Sequence, residues 1–171
     1  MGIPAGGVRI GPVQVGDVAP DFELPALVAG VKQRFRLSDH RGKRSVVLAF
    51  YPSNWEPASE KQMIEYQLRR EEILTRNAET VGICVDSIMN ITSWEREIGP
   101  FDFPLCSDFW PHGEAASKYG VLCTDGPSRG MCERAVFVVS REGKIAFSKI
   151  YGSSEVPDVH ESLTILQELQ S

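Results

Sequence analysis

The sequence predicts a mixed α/β fold: one central sheet flanked by helices. Three observations carry it. Val46–Tyr51 reads VVLAFY and Thr80–Val85 reads TVGICV, two continuous apolar runs of the kind that strands buried on both faces show. Between them lies a stretch rich in helix formers, residues 57–76, with no internal Gly or Pro. Near the C-terminus, two apolar runs flank Ser140-Arg141-Glu142-Gly143, a hairpin signal that adds antiparallel strands.

The elements follow in order. Pro52 ends the first strand, and Pro57 suits the first turn of the helix after it. Ser53-x-x-Glu56 and Ser59-x-x-Gln62 both match the capping-box pattern, so Ser59 can be read simply as a residue that starts a helix. Ile88–Ile98 reads as a short helix, Phe103–Cys106 as a short strand, and residues 112–119 as another helix. Ala135–Val139 and Lys144–Ser148 are the hairpin strands. Val156–Gln170 closes the chain as an amphipathic helix, with Val159, Leu163, Leu166 and Leu169 at helical spacing. Such alternation means layers of helix packed on a sheet. Residues 1–12, rich in Gly and Pro, are expected to form a flexible segment, and 13–171 a single domain.

Composition narrows the function. With 42% hydrophobic and 24% charged residues, the chain has the balance of a globular protein. A net charge of −5 gives no footprint for nucleic acid. The densest basic stretch, Arg34, Arg36, Arg41, Lys43 and Arg44, is interrupted by Asp39 and reads as a solvated loop. No apolar run approaches a membrane span, and residues 1–7 lack the features of a signal peptide, so a cytoplasmic location is expected, with its four cysteines as thiols. Four cysteines in 171 residues are too sparse to staple a fold. Cys84 and Cys106 fall in predicted strands and are expected to be small buried hydrophobes. No metal or cofactor is expected: there is no C-x-x-C, and His112 is isolated. His40 and His160 read as surface residues; Trp55, Trp94 and Trp110 read as packing residues, with Trp55 also able to line a pocket or a dimer interface.

Several stretches together resemble the peroxiredoxins, the alkyl hydroperoxide reductase / thiol-specific antioxidant family on a thioredoxin-like fold. They are Val15–Phe22 with Leu37-Ser38-Asp39 and Gly42-Lys43; FYPSNWEPASEKQM at residues 50–63; Phe103-Pro104-Leu105 with Ser107-Asp108; and Arg134–Val139 with Gly143-Lys144. Trp110-Pro111-His112-Gly113 resembles a run of the bacterioferritin-comigratory, one-cysteine-like members. The resemblance implies a mixed sheet of peroxiredoxin type and a thiol-dependent peroxidase. Such an enzyme reduces hydrogen peroxide or alkyl hydroperoxides and is re-reduced by a thioredoxin-like thiol donor. It also implies association, a homodimer being the simplest form.

In that chemistry a cysteine in the first turn of a helix attacks the O–O bond as a thiolate, favoured by the helix N-terminus and a nearby arginine. By position, the resemblance assigns the shielding proline to Pro52, the arginine to Arg134, the Thr or Ser hydroxyl to position 56 and the nucleophile to position 59. This sequence has Glu56 and Ser59 there. A serine hydroxyl stays protonated where a thiolate forms and has no equivalent of the cysteine oxidation ladder. A carboxylate at 56 opposes any neighbouring thiolate. Two departures in one segment favour a naturally altered site over a single introduced Cys→Ser exchange. No G-x-S-x-G elbow supports a hydrolase-type serine.

The alternative to a peroxidase is therefore a non-catalytic scaffold, or a redox sensor using Cys123 and Cys132. These two bracket the turn-rich loop 124–131. If Cys132 and Arg134 lie in one strand, they share a face, which would aim Cys132 at the pocket beside a guanidinium able to lower its pKa. A reversible Cys123–Cys132 disulfide and a displaced reactive Cys132 are both open at this point.

Overall fold

A computed structural model describes residues 11–170. Most of the segment expected to be flexible, residues 1–10, lies outside the described residues. Val13, the first residue of the expected domain, is fully buried.

Seven strands form one mixed sheet: β1 (Glu23–Val28), β2 (Val31–Arg36), β3 (Ser45–Phe50), β4 (Ala78–Cys84), β5 (Leu105–Ser107), β6 (Ala135–Val139) and β7 (Ile145–Ile150), in the spatial order β2-β1-β5-β4-β3-β6-β7. The inner strands β3, β4 and β5 run parallel, while β6 and β1 flank them antiparallel. Among the described residues five α-helices cover the sheet: α1 (Pro57–Leu68), α2 (Arg70–Leu74), α3 (Ile88–Ile98), α4 (Glu114–Lys118) and α5 (Val159–Leu169).

The alternation of side chains along β3 divides the interior in two. Val46, Leu48 and Phe50 pack on one side with Ala115 and Ala116 of α4. Val47, Ala49 and Tyr51 pack on the other, with Met63 and Tyr66 of α1, Ile91 and Trp94 of α3, and Leu163 and Leu166 of α5. Gly82 in β4 is required by this second layer: a Cβ there would come within 2.9 Å of Leu105 and 3.1 Å of the Met63 sulfur.

The predicted elements from Val46 onward are present, two of them with the expected bounds and the others with boundaries moved by up to three residues, and three differences have physical causes. First, the sequence reading has no strands before residue 46, yet β1 and β2 form a hairpin there. Arg34 and Arg36, expected in a solvated loop, lie on β2 and reach Glu23 across the ladder, each at 3.0 Å. Secondly, the helix expected over 57–76 breaks at Arg69, which leaves helical geometry at φ −97°, ψ 10° and pairs with Glu65 and Glu72 on either side. Thirdly, neither Ser53 nor Ser59 caps α1; Glu56 does. Among smaller corrections, Trp110 and Leu169 are exposed, and His40 is half-buried and stacked on Phe35.

Glu95 on α3 supplies a test of the packing. Its side chain is buried, its carboxylate accepts from the backbone of Phe101 and Gly30, and Oε2 has no partner. Burial raises its pKa above the ordinary carboxylate value, and the two backbone hydrogen bonds only partly oppose this. The folded state therefore disfavours the charged form. Glu95→Gln is expected to stabilise the protein at pH 7 by about 1 kcal/mol in urea unfolding. The gain should shrink as pH falls toward the ordinary carboxylate range, because Glu95 is then protonated in both states.

Candidate functional site

The site lies where the C-terminal end of β3 turns into α1. After Phe50 the chain runs through Tyr51–Glu56 before the helix begins at Pro57. A hydrogen-bond clamp holds this loop. The buried Tyr51 hydroxyl donates to Asn54 Oδ1 at 2.9 Å, Asn54 N donates to Asp86 at 2.8 Å, and Asn54 Nδ2 donates to Asn90 at 3.0 Å. Trp55 adopts φ +67°, an uncommon conformation for a bulky residue, and its indole N–H donates to Asn90 Oδ1 at 3.0 Å. Its ring is half exposed. The clamp delivers Glu56 to the N-cap of α1.

From there one carboxylate engages the whole helix start. Glu56 Oε1 accepts from Ala58 N at 3.1 Å. Glu56 Oε2 accepts from Ser59 N at 2.9 Å and from Ser59 Oγ at 2.6 Å. A cap at this place satisfies orphan backbone donors and sets a negative charge on the positive end of the helix. Burial pushes the Glu56 pKa up, but the hydrogen bonds from Ser59 and Arg134 outweigh it, so the carboxyl sits below its ordinary value and stays charged.

Arg134, just ahead of β6, completes the arrangement and is itself 1% exposed. Nη1 donates to Ser59 Oγ at 3.1 Å and to Gln62 Oε1 at 2.9 Å. Nη2 donates to Glu56 Oε2 at 2.5 Å and to Ser153 O at 2.9 Å, and Nε donates to Ser153 O at 3.3 Å. A guanidinium has five N–H donors; here every one has an acceptor within the fold. Ser59 is fully buried beneath this lid.

Beside the lid opens a cleft of about 350 Å³, lined by Pro52, Glu56, Cys123, Cys132, Arg134 and Ser153 among others. The structure thus brings together all six residues singled out from the sequence: Pro52, Glu56, Cys123, Cys132 and Arg134 at the cleft, and Ser59 behind Glu56. Gln62 and Ser153 were missed as site residues. Gln62 was legible only as a capping partner one turn after Ser59, and nothing local marks Ser153, whose contribution is a backbone carbonyl.

Cys84 and Cys106 are buried as expected, and Cys132 joins them. Cys84 and Cys106 are fully buried, and burial pushes the Cys84 thiol up to about 12. Cys132 is also buried, and its thiol donates to the Tyr51 carbonyl at 3.0 Å. Burial drives its pKa well above the ordinary thiol value, the reverse of an activated thiol. The expected lowering by Arg134 fails because the strand begins only at Ala135. Cys132 packs in the core with Phe50 and Phe137, whereas Arg134 reaches across to α1. Cys123 is half-buried, and its thiol is likewise raised, by burial and then by Glu133. Leu122 pairs with Cys132 in an isolated antiparallel bridge, and Cys123, the next residue, adds to the rise in the Cys132 pKa. All four cysteines are free thiols. Among the described residues no group of His, Cys, Asp or Glu could hold a metal ion, and no helix is long and apolar enough to cross a membrane.

Comparison with known proteins adds context to this geometry. The family model for the AhpC/TSA family matches residues 15–148. The chain is 32% identical over 164 residues to a chloroplastic 2-cysteine peroxiredoxin of Chattonella marina, covering 92% of this chain and 81% of that protein. It is 30% identical over 166 residues to mouse peroxiredoxin-2, covering 94% and 81%. Among solved structures, that of Enterococcus faecalis AhpC superimposes with a TM-score of 0.81 at 28% identity, over 91% of this chain and 92% of that one. The first of these relatives is a two-cysteine peroxiredoxin, so the one-cysteine-like reading of Trp110–Gly113 gains no support from it.

Proposed function

We propose, since the chain belongs to the AhpC/TSA family of peroxiredoxins, that it is a member whose peroxide pocket has been closed from within and that serves as a non-catalytic scaffold on this fold. By resemblance the family's activity is thiol-dependent reduction of hydrogen peroxide or alkyl hydroperoxides, with a thioredoxin-like reductant. On this reading Ser59 stands at the peroxidatic position, Glu56 at the hydroxyl position, and Pro52 and Arg134 at their family positions.

The observation that carries the reading is the saturation of donors. A peroxide oxygen at the start of α1 needs free N–H groups, yet all five Arg134 donors and the Ser59 N–H are taken within the fold. Glu56 Oε2 occupies the point where the Ser59 N–H, the Ser59 hydroxyl and one Arg134 Nη2–H converge. The negative charge that a thiolate would bring at position 59 is supplied from position 56, so Arg134 and the helix keep an anionic partner while the chemistry is gone.

The redox-sensor alternative, with Cys123 and Cys132 as partners, has less support, because both thiols are raised and the buried Cys132 thiol is already bonded to the Tyr51 carbonyl. A homodimer belongs to the proposal by family resemblance. A reducing, cytoplasmic location belongs to it as well, supported by four unpaired thiols.

The test is peroxide consumption by the full chain with dithiothreitol as reductant. The expected rate matches that of protein whose thiols have been blocked. Saturable consumption by the unmodified protein that disappears in Ser59→Ala would overturn the reading.

A further inference from the structure

The donors around Glu56 describe a receptor as well as a cap. Glu56 contributes a carboxylate from the N-cap, and that carboxylate is met by two backbone N–H groups, one hydroxyl and one guanidinium N–H. The guanidinium is rigidly held by Gln62 and the Ser153 carbonyl, and it is almost wholly excluded from water. Nothing about these donors requires that the carboxylate arrive on the same chain. Glu56 is the more accessible partner of the arrangement: its side chain is 29% exposed and borders the cleft, while the Arg134 side chain is 0% exposed.

We propose that Arg134, Ser59 and the first turn of α1 form a carboxylate-binding hole that Glu56 occupies in cis, and that a small external monocarboxylate takes the same donors once the Glu56 side chain is removed. This rests on the reading of Glu56 as the internal occupant of the pocket. The hole selects a carboxylate over a spherical anion because its donors lie on two sides. Ala58 N reaches one oxygen, while Ser59 and Arg134 reach the other. The adjoining cleft of about 350 Å³ leaves room for the body of a short-chain acid behind its carboxylate. In the unaltered protein the tethered Glu56 competes at a high effective concentration, so an external acid is excluded.

The experiment measures thermal unfolding of the full chain and of Glu56→Ala with sodium formate and with sodium chloride at matched ionic strength. Glu56→Ala is expected to unfold at a lower temperature than the parent. Formate at one-hundredfold its dissociation constant should raise the midpoint by about 5–10 °C, saturably. Chloride should not reproduce the gain, and the parent should not respond to formate beyond the chloride control. Glu56→Gln, whose amide still fills the hole, should show no saturable gain.

Equal responses of parent and Glu56→Ala, or of formate and chloride, would overturn the hole. So would a gain in Glu56→Gln as large as in Glu56→Ala. If Glu56→Ala does not fold, Glu56→Ser keeps a capping hydroxyl and vacates the hole; it must show the same rescue, by midpoint or by refolding yield in formate over chloride. The readout is binding rather than turnover. Failure here therefore leaves the absence of peroxidase activity standing, and discovery of peroxidase activity leaves the binding result standing.

Discussion

The double variant Ser59→Cys, Glu56→Thr is expected to react with hydrogen peroxide roughly 100-fold faster than Ser59→Cys alone. A thiol introduced at 59 would sit where Ser59 Oγ now donates to Glu56 Oε2 at 2.6 Å. A fixed carboxylate at that distance opposes ionisation, and about two pKa units of opposition lowers the thiolate fraction near neutral pH about 100-fold. Replacing Glu56 by Thr removes the repulsion and frees the Arg134 Nη2 and Ser59 N donors together. The thiolate sulfur can then attack one peroxide oxygen. The O–O bond breaks, the cysteine becomes a sulfenic acid, and the second oxygen leaves as water after taking a proton. Stopped-flow loss of peroxide, or trapping of the sulfenic acid, measures both variants. Equal rates in the single and double variants would show that Glu56 is not what silences the pocket.

Arg134→Met is expected to lower folding stability by about 3–5 kcal/mol, among the largest losses of any single side chain here. The exchange roughly preserves volume, so the loss is electrostatic. Glu56 stays charged at the helix start with its cation gone, while Ser59 Oγ, Gln62 Oε1 and the Ser153 carbonyl lose donors. A second exchange sharpens the assignment: Arg134→Met with Glu56→Gln removes both charges and should recover a substantial part of the loss. Urea unfolding of the four proteins gives the coupling directly. A double variant no more stable than Arg134→Met would mean that Arg134 acts mainly through the Ser153 turn.

The elements that position this site were legible because they obey simple rules. The apolar runs of β3 and β4 are buried on both faces, and Pro57 marks the start of α1. The N-terminal hairpin was not legible. Pro25 interrupts β1, β2 buries only Phe35, and the two-residue loop Ala29-Gly30 has positive φ at both positions with alanine where Asn or Gly is the usual signal. The break at Arg69 has no Gly or Pro to announce it. At the site itself, sequence patterns favoured Ser53 or Ser59 as the cap, since Ser is a common N-cap residue. Glu56 prevails because Arg134, 78 residues away in the chain, holds its carboxylate in place. A capping preference fixed by a distant cation leaves no local trace. The expectation for Cys132 failed for a related reason: two residues of separation place side chains on one face only if the strand already runs through both.

The saturated guanidinium also constrains how this sequence can change. From the present state, Ser59→Cys alone creates a thiol that meets a carboxylate. Glu56→Thr alone leaves a buried arginine short of its anion. Each single step is unfavourable, and the pair gains more than either exchange alone, so the two positions are epistatic. By the rates expected above, Ser59→Cys alone reaches peroxide chemistry about 100-fold more slowly than the pair. On the proposed reading of positions 56 and 59, Glu56 and Arg134 act as a ratchet: the carboxylate that anchors the buried guanidinium is also what opposes a thiolate at position 59.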